Sequence, residues 1–157
     1  MRPELFVRAN GRVIKAPEED IAVAEGYERW PDKGKLMDGR RLTIMAAGKT
    51  YVVGDQVRII HVLEVAADHP VYVSGPKPVL EEYLDGQLAT TPLRVGQDPL
   101  EPSSYDGPVL RGPRVDYNWD ITTYQFSKPG THEVVWKPGS LASNRLSIEV
   151  AALPDVR

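Results

Sequence analysis

The chain has 157 residues and a net charge of −3, with 41% hydrophobic and 26% charged residues. This composition is typical of a folded chain rather than a disordered one, and the length suits one domain with or without an additional segment. No cysteine is present, which excludes disulfides, thiolate metal sites and cysteine nucleophiles.

The distribution of charged and apolar residues limits the classes of partner that we expect. No basic cluster indicates nucleic-acid binding. The first eight residues lack the apolar core of a signal peptide, and no apolar run is long enough to span a bilayer, so we expect no membrane insertion. The compartment stays open, since a chain exported with its leader removed would look the same.

The N-terminal segment, residues 1–39, is predicted to be a hairpin and linker arm. Asn10-Gly11 separates two short alternating runs, and Asn-Gly is the typical sequence of a two-residue hairpin turn. Pro17 and the acids after it favour a short helix that ends at Gly26, although the same residues also fit a strand or coil. A Pro- and Gly-rich loop follows, and we expect the main domain, residues 40–157, to begin near Arg40.

The strongest predicted strand is Val57–Val65, after a first strand at residues 42–46. Both of its faces are partly apolar, whereas one face of a simple sandwich strand is usually wetter. Something should therefore cover the second face, and the N-terminal hairpin is the obvious candidate. Ile60 and Val62, on that face, are predicted partner-binding residues.

The middle of the chain is predicted to hold a short strand at Val71–Val73 and a hairpin around Asp85-Gly86, with a helix at residues 78–84 as the alternative. Residues 91–114 are rich in proline and glycine and cannot form central strands. They are either a functional loop or a connection between sheets. Tyr105 is the aromatic side chain in this loop that we most expect to be exposed, and it is a third predicted partner-binding residue.

The last third predicts three more strands. Residues 116–121 alternate, but Tyr124 and Phe126 are out of phase with them, which predicts a bulge or break near Thr122-Thr123. The runs 132–136 and 146–150 alternate regularly. Short strands with turns at this spacing predict an all-β sandwich.

Two stretches carry a resemblance to a known fold. Residues 126–136 and 143–150 resemble the last two strands of bacterial immunoglobulin-like domains, and residues 51–59 resemble an early turn and strand of the same domains. The resemblance covers roughly residues 40–150 and implies an immunoglobulin-like β-sandwich. His132 stands where such domains usually carry a tyrosine that hydrogen-bonds back to the backbone.

Few residues suggest chemistry. Asp116, Asn118 and Asp120 would offer three oxygen ligands to calcium on one strand face, although a solvated outer face is the simpler interpretation. A zinc or copper site would need His61, His69 and His132 to converge. No nucleophile elbow or phosphate-binding loop occurs, and the loop serines Ser103, Ser104 and Ser140 have no neighbouring base in the sequence.

The sequence predicts an immunoglobulin-like β-sandwich with an N-terminal β-hairpin arm, acting as a non-catalytic protein-interaction module or assembly subunit without a cofactor. The partner would be another protein or a second copy of the chain. One alternative is a carbohydrate-binding accessory domain of a bacterial surface or exported protein, which would bind polysaccharide through exposed aromatic side chains. A further alternative is a small metal-dependent enzyme that uses the histidines.

Overall fold

The computed structural model describes residues 2–73, 75–102 and 105–154. Strands dominate these residues, as the sequence predicts. The strands are β1 (Phe6–Ala9), β2 (Arg12–Lys15), β3 (Arg40–Met45), β4 (Tyr51–Val52), β5 (Val57–Val65), β6 (Pro70–Tyr72), β7 (Glu82–Leu84), β8 (Gln87–Leu88), β9 (Val109–Arg111), β10 (Arg114–Asp116), β11 (Thr122–Tyr124), β12 (Gly130–Trp136) and β13 (Leu146–Ala151). The helices are α1 (Glu18–Glu25) and a single 3₁₀ turn at Tyr27–Arg29. Neither has the length and apolar character that crossing a bilayer requires.

The first sheet is organised around β5. Strand β3 pairs antiparallel with residues 60–65 of β5, while β10 and β11 pair antiparallel with its two ends. The second sheet has the order β4-β13-β12-β7-β8, in which only β4 runs parallel to its neighbour. Strands β6 and β9 form a separate ribbon, and β1 and β2 form the predicted hairpin.

The two sheets share one apolar core. From β5 it receives the side chains on the predicted inner face, and from the second sheet it receives Val134, Trp136, Ile148 and Val150. Trp136 is fully buried and lies edge-on to Trp119, with 5.0 Å between ring centroids. This two-layer arrangement is that of a β-sandwich.

The second face of β5 is covered by the N-terminal segment. Ile60 and Val62 pack against side chains from both ends of the hairpin, from α1 and from the 3₁₀ turn, namely Leu5, Ala16, Ile21, Ala24 and Tyr27. An ion pair from Arg58 to Asp20 ties α1 to β5, with 2.8 Å between nitrogen and oxygen. The expected cover is therefore present, but the helix and the ends of the hairpin supply it, and strand β2 itself stays exposed.

The structure differs from the sequence prediction at residues 116–121. A continuous strand is predicted there with a break near Thr122-Thr123, whereas β10 ends at Asp116 and β11 begins at Thr122. The physical reason is that this segment hydrogen-bonds to the backbone of Lys77 instead of to β5. The Lys77 carbonyl accepts from the N–H of Asp120 at 2.8 Å, and the Lys77 N–H donates to the carbonyl of Asn118 at 3.1 Å. This pairing pulls the segment away from β5 and turns Trp119 into the core.

The predicted hairpin around Asp85-Gly86 is confirmed. Tyr83 pairs with Leu88 and Leu84 with Gln87, and both central residues of the turn, Asp85 and Gly86, have positive φ. The alternative helix is absent from this part of the described chain.

Candidate partner-binding groove

An open groove lies between the N-terminal hairpin and strand β10. Its volume is about 700 Å³, and its walls include Phe6 and Val13 of the hairpin and Arg114 and Val115 of β10. Val73, which follows β6, closes one side. Three elements distant in sequence therefore meet around one depression in the surface.

The groove presents apolar side chains to solvent. Val13 is 46% exposed, Val73 47% and Val115 39%. Single exposed apolar residues are common on proteins, but several around one concave depression are a typical feature of interaction sites. These three valines were not predicted from the sequence, because an alternating pattern does not show which face of a short strand is covered by other residues.

One residue that lines the groove, Asp116, belongs to a buried ion pair. Lys77 and Asp116 are almost completely buried, and the Lys77 ammonium lies 3.0 Å from an Asp116 carboxylate oxygen. The ammonium also donates to the Tyr72 carbonyl at 2.9 Å and lies 4.8 Å from the centroid of the Trp119 ring. Burial lowers the pKa of Lys77, and Asp116 partly opposes that shift. The pair is enclosed by protein, and Asp116 is its member that lines the groove.

The three predicted calcium ligands are not assembled into a site. Asp116 faces Lys77 and accepts the backbone N–H of Asn118 at 2.9 Å. Asp120 lines a different cavity, where burial raises the pKa of its carboxyl group. The prediction of one shared strand face fails because residues 117–121 do not form a strand. Within residues 2–73, 75–102 and 105–154, no group of three or more His, Asp or Glu side chains is placed to hold a metal ion.

His61 is part of a buried polar cluster between the sheets. Its Nε2 hydrogen-bonds the carboxylate of Glu82 on β7, and both side chains are fully buried. Glu82 also accepts hydrogen bonds from Thr122 Oγ1 at 2.6 Å and from the Tyr124 hydroxyl at 2.5 Å. Burial opposes ionisation of Glu82, but His61 and the hydrogen bonds outweigh it, so the pKa of Glu82 is lowered. The cluster links the two sheets and is closed to substrates.

The other two histidines lie elsewhere. His132 stacks on Phe126, and its two ring nitrogens lie 2.6 Å from an Asp85 carboxylate oxygen and 2.7 Å from the Lys128 carbonyl. Both partners only accept hydrogen bonds, so both ring nitrogens donate, and these two bonds raise the pKa of His132. His69 lies in the connection between β5 and β6, beside Gly39. The three histidines do not converge.

The predicted partner-binding residues have different surroundings. Ile60 and Val62 are buried under the N-terminal segment and are inaccessible to another protein while that segment is in place. Tyr105 is half-buried rather than well exposed. It lies edge-on to Tyr72, and its hydroxyl accepts the N–H of Val73 at 3.2 Å. Through Val73, Tyr105 supports the rim of the groove.

The structure offers less support for carbohydrate binding or for catalysis than for binding a protein. Trp119 and Trp136, which could stack on a sugar ring, are 3% and 0% exposed. A second cavity of about 340 Å³ is lined by prolines, by Lys77 and by Trp119, which is almost completely buried. Of the loop serines, Ser103 and Ser104 lie outside the described residues.

Comparison with known proteins adds no assignment. No protein-family model matches the chain, and neither the curated proteins nor the solved structures gave a significant match.

Proposed function

We propose that this chain is a non-catalytic protein-interaction module with an immunoglobulin-like β-sandwich fold, and that the groove between the hairpin and β10 receives its partner. The observation that carries the proposal is the set of three exposed valines, Val13, Val73 and Val115, around one open groove of about 700 Å³. Burying apolar surface of this kind against a partner favours binding by roughly 25 cal/mol per Å² removed from water.

The strand order supports the immunoglobulin-like part of the proposal. Strand β5 lies between β3 and β10/β11, which corresponds to strands A, B and E of such domains. In the other sheet, β13, β12, β7 and β8 follow one another, which corresponds to strands G, F, C and C′.

The corner at His132 gives further support. A tyrosine near the start of strand F in such domains hydrogen-bonds to backbone a few residues upstream. His132, near the start of β12, makes the equivalent bond through Nε2 to the carbonyl of Lys128. An imidazole can therefore hold this corner in place of a phenol.

A photo-crosslinking experiment tests the proposal. The photoreactive amino acid p-benzoylphenylalanine is placed at Val115 in the groove or, as a control, at Leu88, which is similarly exposed on β8. In extract of the source cells, a discrete adduct is expected from position 115 and not from position 88. Val73→Asp in the same chain should reduce the adduct, whereas Leu88→Asp should not. Equal adducts from both positions, or none from position 115, would overturn the proposal.

A further inference from the structure

The outer edge of strand β2 is open for pairing. Among the described residues β2 pairs with β1 alone, and all four of its residues are exposed. Asn10 and Gly11 both have positive φ, as a two-residue hairpin turn requires, and Ala16 donates to the Leu5 carbonyl at 2.9 Å. In this register the N–H and C=O groups of Arg12 and Ile14 point toward β1, and those of Val13 and Lys15 point outward.

The side chains of β2 favour an acidic partner segment. Arg12 and Lys15 flank the apolar pair Val13 and Ile14. Among the described residues, neither cation has a carboxylate oxygen within 4.0 Å, in contrast to Arg2 and Arg58, which are paired. An acidic residue opposite each cation would be favourable, and a basic residue would be unfavourable.

A second copy of the chain is a poor occupant for the same reason. Antiparallel pairing of two β2 edges through Val13 and Lys15 makes the two Lys15 side chains diagonal neighbours on one face, roughly 7–8 Å apart. In the same register each Arg12 lies opposite Ala16 of the other copy and gains no acidic partner. Self-pairing therefore gathers like charges, whereas an acidic segment neutralises them.

We propose that β2 receives an extended segment of a different protein, with the pattern acidic-apolar-apolar-acidic, as an additional antiparallel strand. This proposal rests on the proposed function and names the edge and the partner chemistry. The backbone groups of Val13 and Lys15 supply the hydrogen bonds, which is the general mode of strand addition. The partner residue opposite Val13 lies at the groove, since opposing residues are about 5 Å apart.

Fluorescence anisotropy with labelled eight-residue peptides tests the proposal on the full chain. One peptide has the core Glu-Val-Val-Glu between threonines, and the matched control replaces both glutamates with lysine. The acidic peptide is expected to bind about tenfold more tightly or better, because two cross-strand pairs change from repulsive to attractive. Exchanging both Arg12 and Lys15 for glutamate should reverse the preference.

Two variants at one position separate backbone pairing from side-chain contact. Val13→Pro removes an outward N–H that the hairpin does not use, so the hairpin tolerates it as an edge-strand proline. It should abolish binding of the acidic peptide, whereas Val13→Thr, which keeps the N–H, should retain binding within about threefold. Circular dichroism and the thermal midpoint verify folding of each variant.

The outcomes distinguish the inference from the function on which it rests. Equal binding of both peptides, no binding of either, or wild-type binding by a folded Val13→Pro variant overturns strand addition at β2. The crosslink at position 115 is independent of these peptides. Its presence without peptide binding would leave the interaction module standing and refute only the assignment of edge and partner.

Discussion

Replacing Tyr124 with phenylalanine removes one of the donors to the buried carboxylate of Glu82. The hydroxyl lies 2.5 Å from Glu82 Oε1, and burial together with the neighbouring carboxylate raises the pKa of Tyr124, so the hydroxyl keeps its proton and donates. Hydrogen bonds to charged groups contribute about 1.5–3 kcal/mol. We therefore expect Tyr124→Phe to lower the free energy of unfolding by about 2 kcal/mol.

A double-mutant cycle isolates this contact. In Glu82→Gln the acceptor becomes neutral, and neutral hydrogen bonds are about half as strong as charge-assisted ones. Tyr124→Phe should then cost only about 1 kcal/mol, so the coupling free energy is about 1 kcal/mol. Urea denaturation of the four proteins, followed by tryptophan fluorescence, measures it.

A neighbouring tyrosine provides the control. Tyr83, next to Glu82 on β7, is half-buried, and its hydroxyl has no hydrogen bond within the described part of the chain. Tyr83→Phe should change the free energy of unfolding by less than about 0.5 kcal/mol in either background. If Tyr124→Phe cost the same with Glu82 and with glutamine at position 82, the carboxylate would not be the hydrogen-bond partner of Tyr124.

Three further predictions concern other parts of the fold. Lys77→Met should cost about 3–5 kcal/mol in urea denaturation because it leaves the Asp116 carboxylate buried and unpaired, and adding Asp116→Leu should recover part of the loss; a loss below about 1 kcal/mol would contradict this. The pKa of His132, measured by NMR in the folded chain, should lie above the ordinary histidine value of about 6.5. The protonated imidazole then stabilises the fold fully below about pH 6.5, and this stabilisation is lost as the pH rises through the pKa of the folded chain. A pKa equal to the ordinary value would show that the two hydrogen bonds of His132 are not formed. Gly34→Ala should lower the thermal midpoint markedly and cost about 3 kcal/mol, because a Cβ there would lie 1.8 Å from the Leu42 carbonyl oxygen; a near-neutral effect would contradict this close backbone approach.

Much of the strand framework is readable from local pattern. Val57–Val65 is rich in β-branched residues and contains no glycine or proline, and the structure gives β5 the same bounds. The turns at Asn10-Gly11 and Asp85-Gly86 are equally local, because positive φ at both central residues restricts the residue types that fit. In these places the information needed is contained in a few consecutive residues.

The break between β10 and β11 is not readable in this way. The alternation of residues 116–121 favours a strand, but the backbone of Lys77, distant in sequence, takes over the hydrogen bonds of Asn118 and Asp120. The sequence around residues 116–121 does not indicate that Lys77 will pair with this segment. The ion pair between Lys77 and Asp116 is hidden for the same reason, since neither residue indicates its partner by spacing.

The sequence predicts the cover of β5 but not the groove. It indicates a surplus apolar face on β5 and predicts the N-terminal hairpin as the candidate to cover it. It then assigned partner contacts to Ile60 and Val62, which the segment itself buries. Of the exposed valines, Val13 lies on that same hairpin, Val115 lies on β10 and Val73 follows β6.

Amide hydrogen exchange along β2, measured by NMR with the acidic eight-residue peptide, tests most directly whether this edge receives a partner strand. In the free chain, the amides of Val13 and Lys15 should exchange faster than those of Arg12 and Ile14, which are bonded to β1. With saturating peptide, we expect a gain of protection at Val13 and Lys15 and little change at Arg12 and Ile14. Unchanged exchange at Val13 and Lys15, with the peptide bound, would contradict it.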